Sequence, residues 1–173
     1  SEYRGFLDGR FFDSGRRSQL FAIEPHQYGH MPVVLIHGTA SSPGRWADMV
    51  NDLLQDKDIS SNFEFWFFSY ATGNPIPYSA LQLSRALKSA VADLGGPQAD
   101  PALGRITLIG HSQGGLLAKM LSISPQDKLW NGLMKRPLSS LHLPARTRQF
   151  LDQALMPTAM PEIRCDIFIS TPQ

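Results

Sequence analysis

Four short apolar runs, separated by stretches in which apolar residues recur every three or four positions, set the plan of this chain. Val33, Val34, Leu35 and Ile36 form an unbroken block, the signature of a strand buried on both faces. A second, aromatic-rich strand is predicted over 63–70 (FEFWFFSY), stopped by Gly73, Asn74 and Pro75. Residues 106–109 predict a third strand and residues 163–170 (IRCDIFIS) a fourth. The intervening patterns are helical. After the first strand, Ser41, Ser42 and Pro43 are helix-start residues, and Trp46, Met49, Val50, Leu53 and Leu54 follow at helical spacing. A second helix over 78–94 carries the stripe Ala80, Leu83, Leu87, Val91 and Leu94 and ends at Gly95-Gly96-Pro97. A third covers 114–122. Near the start, Asp8-Gly9 between apolar flanks predicts a two-residue hairpin, and SQLFAIEP a further strand ended by Pro25.

Repeated strand-helix-strand units of this length argue for an α/β fold, a mostly parallel open sheet with helices on both faces, preceded by an antiparallel N-terminal hairpin. Between 124 and 161 the pattern loosens. Pro125, Pro137, Pro144, Pro157 and Pro161 punctuate it and only 147–155 reads as helix. A connection this long is either a lid over a binding site or a surface excursion. With no internal repeat or linker, residues 1–173 are read as a single domain.

Composition narrows the functional classes. At 173 residues, 42% hydrophobic and 18% charged, the chain can bury a genuine core. A net charge of +1 offers no basic stripe, so no nucleic-acid partner is expected. No apolar run approaches the ~18 residues of a spanning helix, so no transmembrane segment is expected. The opening SEYRGFLDGR lacks the layout of a signal peptide, and the compartment stays open. The single cysteine, Cys165, excludes an internal disulfide framework and a cysteine-rich metal site. It reads as a small buried hydrophobe.

Candidate chemistry centres on RITLIGHSQGGLLAKML, residues 105–121. Gly110-His111-Ser112-Gln113-Gly114 places a serine between two glycines where a strand gives way to a helix. Such a turn strains the serine backbone and leaves little room on either side, so the residues two positions away must be small.

LIGHSQGG together with VVLIHGT resembles the α/β-hydrolase superfamily, more narrowly its lipase and esterase branch. The resemblance runs from about residue 6 to the last residue. It implies Ser112 as nucleophile, with the backbone N–H groups of Gln113 and Thr39 holding the oxyanion. Two preorganised donors of that kind stabilise a tetrahedral intermediate by a few kcal/mol each. It further implies an acyl-enzyme on Ser112 and a small-molecule ester or lipid as substrate. No cofactor and no metal are called for.

A serine also needs a base, and here the sequence departs from the family order of nucleophile, acid, histidine. His142, in SSLHLPAR, is the one histidine after Ser112 and would have to reach over the strand edge. Asp152, Glu162 and Asp166 are available as acid, but Asp152 sits on a helix face and Asp166 alternates with strand residues. His111 should point away from the serine, and His37 is expected to shape the loop around Thr39. His26 and His30 have i,i+4 spacing, yet Pro25 and Gly29 oppose a helix there and no third ligand is near.

The expectation is therefore that acid and base are encoded beyond Gln173, in a missing C-terminal part of a longer hydrolase, and that residues 1–173 alone are nearly inactive. FISTPQ resembles the TPH-x-GS turn of many predicted lipases, which ordinarily continues into further strand-helix units. CDIFIS, apolar on both faces, predicts an interior strand that something should cover. A non-catalytic binding scaffold, or an acyltransferase or thioesterase using the same serine, remain alternatives.

Overall fold

Alternation along the strands decides the architecture. In β2 (Met31–Ile36) the side chains of Val34 and Ile36 enter one core and those of Val33 and Leu35 another. Trp66 and Phe68 of β3 (Phe63–Ser69) join the first core, and Phe65 and Phe67 the second. In β4 (Ile106–His111) Ile106 and Leu108 fall on the first side and Ile109 on the second. Successive residues of a strand point to opposite faces, so a strand with no polar position is one that is covered twice.

The computed structural model describes residues 18–39, 41–122 and 160–172. The hairpin expected at Asp8-Gly9, the 147–155 helix, His142, Asp152 and nearly all of the 124–161 excursion lie outside them. Five strands form one sheet in the order β1-β3-β2-β4-β5, with β1 at Gln19–Ala22 and β5 at Ile163–Ile169. β1 pairs antiparallel with β3, while β3, β2, β4 and β5 run parallel. The mixed α/β sheet expected from the sequence is present, with its antiparallel pair made by the SQLFAIEP strand.

The first core is closed by α3 (Ile76–Asp93) and α5 (Gln113–Ser122), through Leu83, Leu87, Leu117 and Leu121. The second is closed by Trp46, Val50 and Ile59 from the β2–β3 connection. That connection is three pieces and not the one helix predicted: a 3-10 turn at Pro43–Trp46, then α1 (Ala47–Leu54) and α2 (Lys57–Asn62). Asp56 starts the last piece by accepting from the amides of Asp58 and Ile59, an N-cap that competes with continuing α1. α3 begins two residues before its predicted start because Pro77 is tolerated in a first turn. Past α3, Gly95 (φ 91) turns the chain into the short α4 (Gly96–Ala99).

One expectation at β5 is corrected. Cys165 is exposed, not buried, and among the described residues β5 pairs with β4 alone. Ile167, Phe168 and Ile169 are accordingly exposed, Phe168 to 45%.

At the end of the sheet where the parallel strands begin, His26 spans two buried carboxylates. Its Nδ1 is 3.0 Å from both oxygens of Glu64 and its Nε2 3.1 Å from Asp100. Trp66 Nε1 and the Gln27 amide donate to Glu64, and the amides of Gly29 and Ala102 to Asp100. His26 thus pairs with carboxylates instead of joining His30, and the described residues hold no group of three or more His, Cys, Asp or Glu side chains arranged to hold a metal ion. Nor, among those residues, is any helix long and apolar enough to cross a membrane.

Candidate active site

Ser112 lies at the opposite end, where the parallel strands finish. It joins β4 directly to α5 with a φ of 52°, a left-handed conformation that costs a residue with a Cβ on the order of 1–2 kcal/mol. Its neighbours hold it there. The Ser112 amide donates to Ile169 O of β5 at 2.9 Å, and Ser112 O accepts from the Gly115 amide at 3.1 Å.

The glycines around it have separate steric reasons. A Cβ on Gly110 would overlap the backbone of Gly114 and Gly115, and one on Gly114 would overlap Ile36 O and stand 2.7 Å from His37 O. The helix start is therefore pressed against both its own strand and β2. Gly115, which the G-x-S-x-G reading leaves out, makes room for Thr171, whose hydroxyl donates to Gly110 O at 3.4 Å. Gly38 is equally constrained, since a Cβ there would come 2.9 Å from Ser112 Cβ and 2.8 Å from His111 Nδ1. The 37–39 loop and Ser112 are thus in direct contact.

Thr39 and Gln113 are also brought together. Thr39 Oγ1 donates to Gln113 Oε1 at 2.9 Å, and Gln113 Nε2 donates to Thr72 O at 3.2 Å. One carboxamide ties the loop after β2, the start of α5 and the loop after β3 into a single rim.

Inside that rim, His37 is 3% exposed. Its Nδ1 lies 3.0 Å from Gly38 O, and its Nε2 accepts from the Tyr70 amide at 3.3 Å. A nitrogen that accepts carries no proton, so the tautomer is Nδ1–H, and this N–H donates to Gly38 O. Burial holds the His37 pKa below its ordinary 6.5, against the opposing pull of the bond to Gly38. The ring is neutral and both nitrogens are occupied, which removes it as a base for Ser112.

Gly38 O accepts a second bond, from the Ser41 amide at 3.3 Å. In a trans peptide the C=O and the following N–H point in opposite directions. Fixing Gly38 O toward the His37 ring therefore directs the Thr39 N–H away from it. Among the described residues no histidine is hydrogen-bonded to Ser112: His26 and His30 are at the far end of the sheet, and the His111 ring abuts Gly38.

Asp166 lies on β5 beside α5, with a buried carboxylate oxygen that has no hydrogen-bond partner among the described residues. Burial pushes its pKa up, with Ser122 opposing by a hydrogen bond. It sits mid-strand, opposite Leu108, three residues before the Ile169 carbonyl that holds the Ser112 amide.

The sequence pattern of the Alpha/beta hydrolase family matches residues 33–168, most of the chain. The chain belongs to this family. A search of curated proteins returned no match. Among solved structures, the butyrate-bound esterase Est2 of the planctomycete Thermogutta terrifontis superposes with a TM-score of 0.52 at 13% identity, over 89% of this chain and 49% of that one. The mature Bacillus licheniformis lipase BlEst2 is 19% identical over 58% of this chain and 38% of its own, at a TM-score of 0.44. An acetylxylan esterase is 18% identical over 84% and 65%, at 0.47. At such identities the likeness to the Thermogutta esterase speaks for the fold, and this alpha/beta hydrolase chain spans between 38% and 65% of the length of those three proteins.

Tyr70 is the feature the sequence reading missed. It follows a strand of aromatic residues and had no signal to separate it from core. Its position one residue past β3, where the strand ends, is the one hint that it belongs to a rim.

Proposed function

We propose that this chain carries the nucleophile and oxyanion-binding part of a serine hydrolase acting on carboxylic esters, lipid-like ones among them. One observation carries the reading: Ser112 occupies a left-handed turn against the 37–39 loop, whose Gly38 carbonyl is doubly engaged and whose Thr39 N–H faces the other way. In the reaction, Ser112 Oγ passes its proton to a base as it attacks the ester carbonyl carbon, and the carbonyl oxygen takes up negative charge. The amides of Thr39 and Gln113 serve as its donors. Collapse expels the alcohol, which takes a proton from the base, and water then releases the acid from Ser112.

Esterase and lipase relatives favour an ester among the possible acyl compounds. A binding scaffold is the competing reading, favoured by the absence, among the described residues, of a histidine on Ser112. A fluorophosphonate separates the two, because it labels a serine only when its hydroxyl is activated. The full-length gene product is expected to label, and Ser112→Ala to abolish labelling. Labelling that persists in Ser112→Ala, or never occurs in the parent, overturns the hydrolase reading.

For residues 1–173 alone we expect p-nitrophenyl ester turnover far below ordinary enzymatic rates, because losing a triad histidine costs on the order of 10⁶ in turnover in subtilisin. Ser112-dependent turnover at enzymatic rates in this chain would place a base within it and return attention to His142.

A further inference from the structure

The 37–39 loop is oriented by a residue outside it. Tyr70 holds His37 in three ways: its amide donates to His37 Nε2 at 3.3 Å, its hydroxyl donates to His37 O at 2.9 Å, and its ring stacks on the imidazole with centroids 4.6 Å apart. Phe68 backs the Tyr70 ring at 5.6 Å. His37 O is also the atom that a side chain at Gly114 would crowd. The first peptide of the loop is therefore gripped between Tyr70 and the start of α5.

Each contact has a directional consequence. The Tyr70 amide requires an unprotonated Nε2, which leaves the single imidazole proton on Nδ1. That proton binds Gly38 O, and the planar peptide then turns the Thr39 N–H outward. Second, the hydroxyl fixes His37 O, and by the same planarity the Gly38 N–H. Such relays, in which one group sets a histidine's tautomer and the other ring nitrogen does the useful bonding, let a distant residue fix a donor's direction.

We propose that Tyr70 is a positioning residue: its amide selects the Nδ1–H tautomer of His37 and thereby aims the Thr39 amide, and its hydroxyl holds the peptide between His37 and Gly38 in place. For its purpose this rests on the hydrolase reading; its geometry does not. A preorganised donor costs no reorganisation at the moment charge develops, so a residue that aims the donor acts on the rate without touching substrate.

Two measurements on the full chain decide it. Long-range ¹H–¹⁵N spectra of His37 at neutral pH are expected to show a protonated Nδ1 and an unprotonated Nε2. An Nε2–H tautomer or an imidazolium overturns the proposal. Tyr70→Phe keeps the ring and amide and removes only the hydroxyl. It leaves the amide's hold on the tautomer in place and is expected to raise hydrogen exchange at the Gly38 amide, whose peptide the hydroxyl holds, roughly fivefold, the equivalent of one net hydrogen bond. Phe68→Leu, a loss of packing alone, serves as comparison and is expected to leave the His37 tautomer unchanged. Equal exchange in Tyr70→Phe and parent overturns the proposal, as does a tautomer change in Phe68→Leu. If Ser112 labels with fluorophosphonate, Tyr70→Phe should slow labelling about as much as it loosens exchange. If Ser112 never labels, the hydrolase reading fails while the spectra and exchange still judge the relay.

Discussion

Gly114→Val is expected to leave a chain that does not reach its native structure. A Cβ at this position would overlap Ile36 O and lie 2.7 Å from His37 O. Both are backbone atoms of the central strand and its exit, so no rotamer change relieves the clash. Overpacking a core ordinarily costs about 1–3 kcal/mol. Here α5 would have to lift off β2, taking Leu117 and Leu121 out of the first core. The loss then exceeds roughly 3 kcal/mol, a large part of the ~5–15 kcal/mol that holds a domain together. Gly114→Ala should show the same sign with a smaller shift. Urea denaturation followed by circular dichroism reads both, and Gly73→Ala is the control. Nothing lies within 4 Å of a Cβ at Gly73, and its midpoint should barely move. A Gly114→Val protein with the parent's midpoint would mean that α5 is not seated against β2 as described.

Asp100→Ala should cost nearly as much, at the other end of the sheet. Asp100 is 3% exposed and accepts from Gly29 N at 2.7 Å and Ala102 N at 2.9 Å, with His26 Nε2 at 3.1 Å. Removing it leaves the Gly29 and Ala102 amides and His26 Nε2 without their acceptor, while His26 keeps Glu64; losing one partner of a buried ionic cluster costs about 3–5 kcal/mol.

The pH dependence has a definite sign. Burial opposes ionisation of Asp100, but the amides of Gly29 and Ala102 and the His26 ring outweigh it and hold the carboxyl below its ordinary 3.8. A depressed folded pKa means the unfolded chain takes up the proton first as acid is added. The contribution is thus complete above about pH 4 and is lost as pH falls through the lower folded value. Thermal melts of parent and Asp100→Ala should differ widely at pH 7 and converge in strong acid. A gap that stays constant down to the lowest pH would show that the charge plays no part.

The contrast between these two substitutions marks what could be foreseen. Gly114 was legible because its neighbours in sequence state the constraint: a short apolar strand, a serine and a helix leave no space beside them. The covered strands were legible for a similar local reason, since Val33 to Ile36 can have no wet face. Asp100 was not, because its partners are His26, Gly29 and Ala102, and no spacing along the chain announces that residues 26 and 100 meet. The His37–Tyr70 contact was hidden in the same way, and aromatic density around residue 67 read as core only. At β5 the composition of CDIFIS identified the strand but not the exposure of Cys165, since a residue's preference for the interior does not say which face of its strand is covered.

The two ends of the sheet also bear on how the protein can be altered. Six residues of β2 separate the His26 cluster from the Ser112 rim, about 20 Å at the rise of an extended chain. Changes that far apart with no common partner combine independently. Laboratory evolution aimed at new substrates can therefore accept weakening replacements around residues 39, 72 and 113 and offset them with tighter packing near residue 26, selecting the two sets in separate rounds.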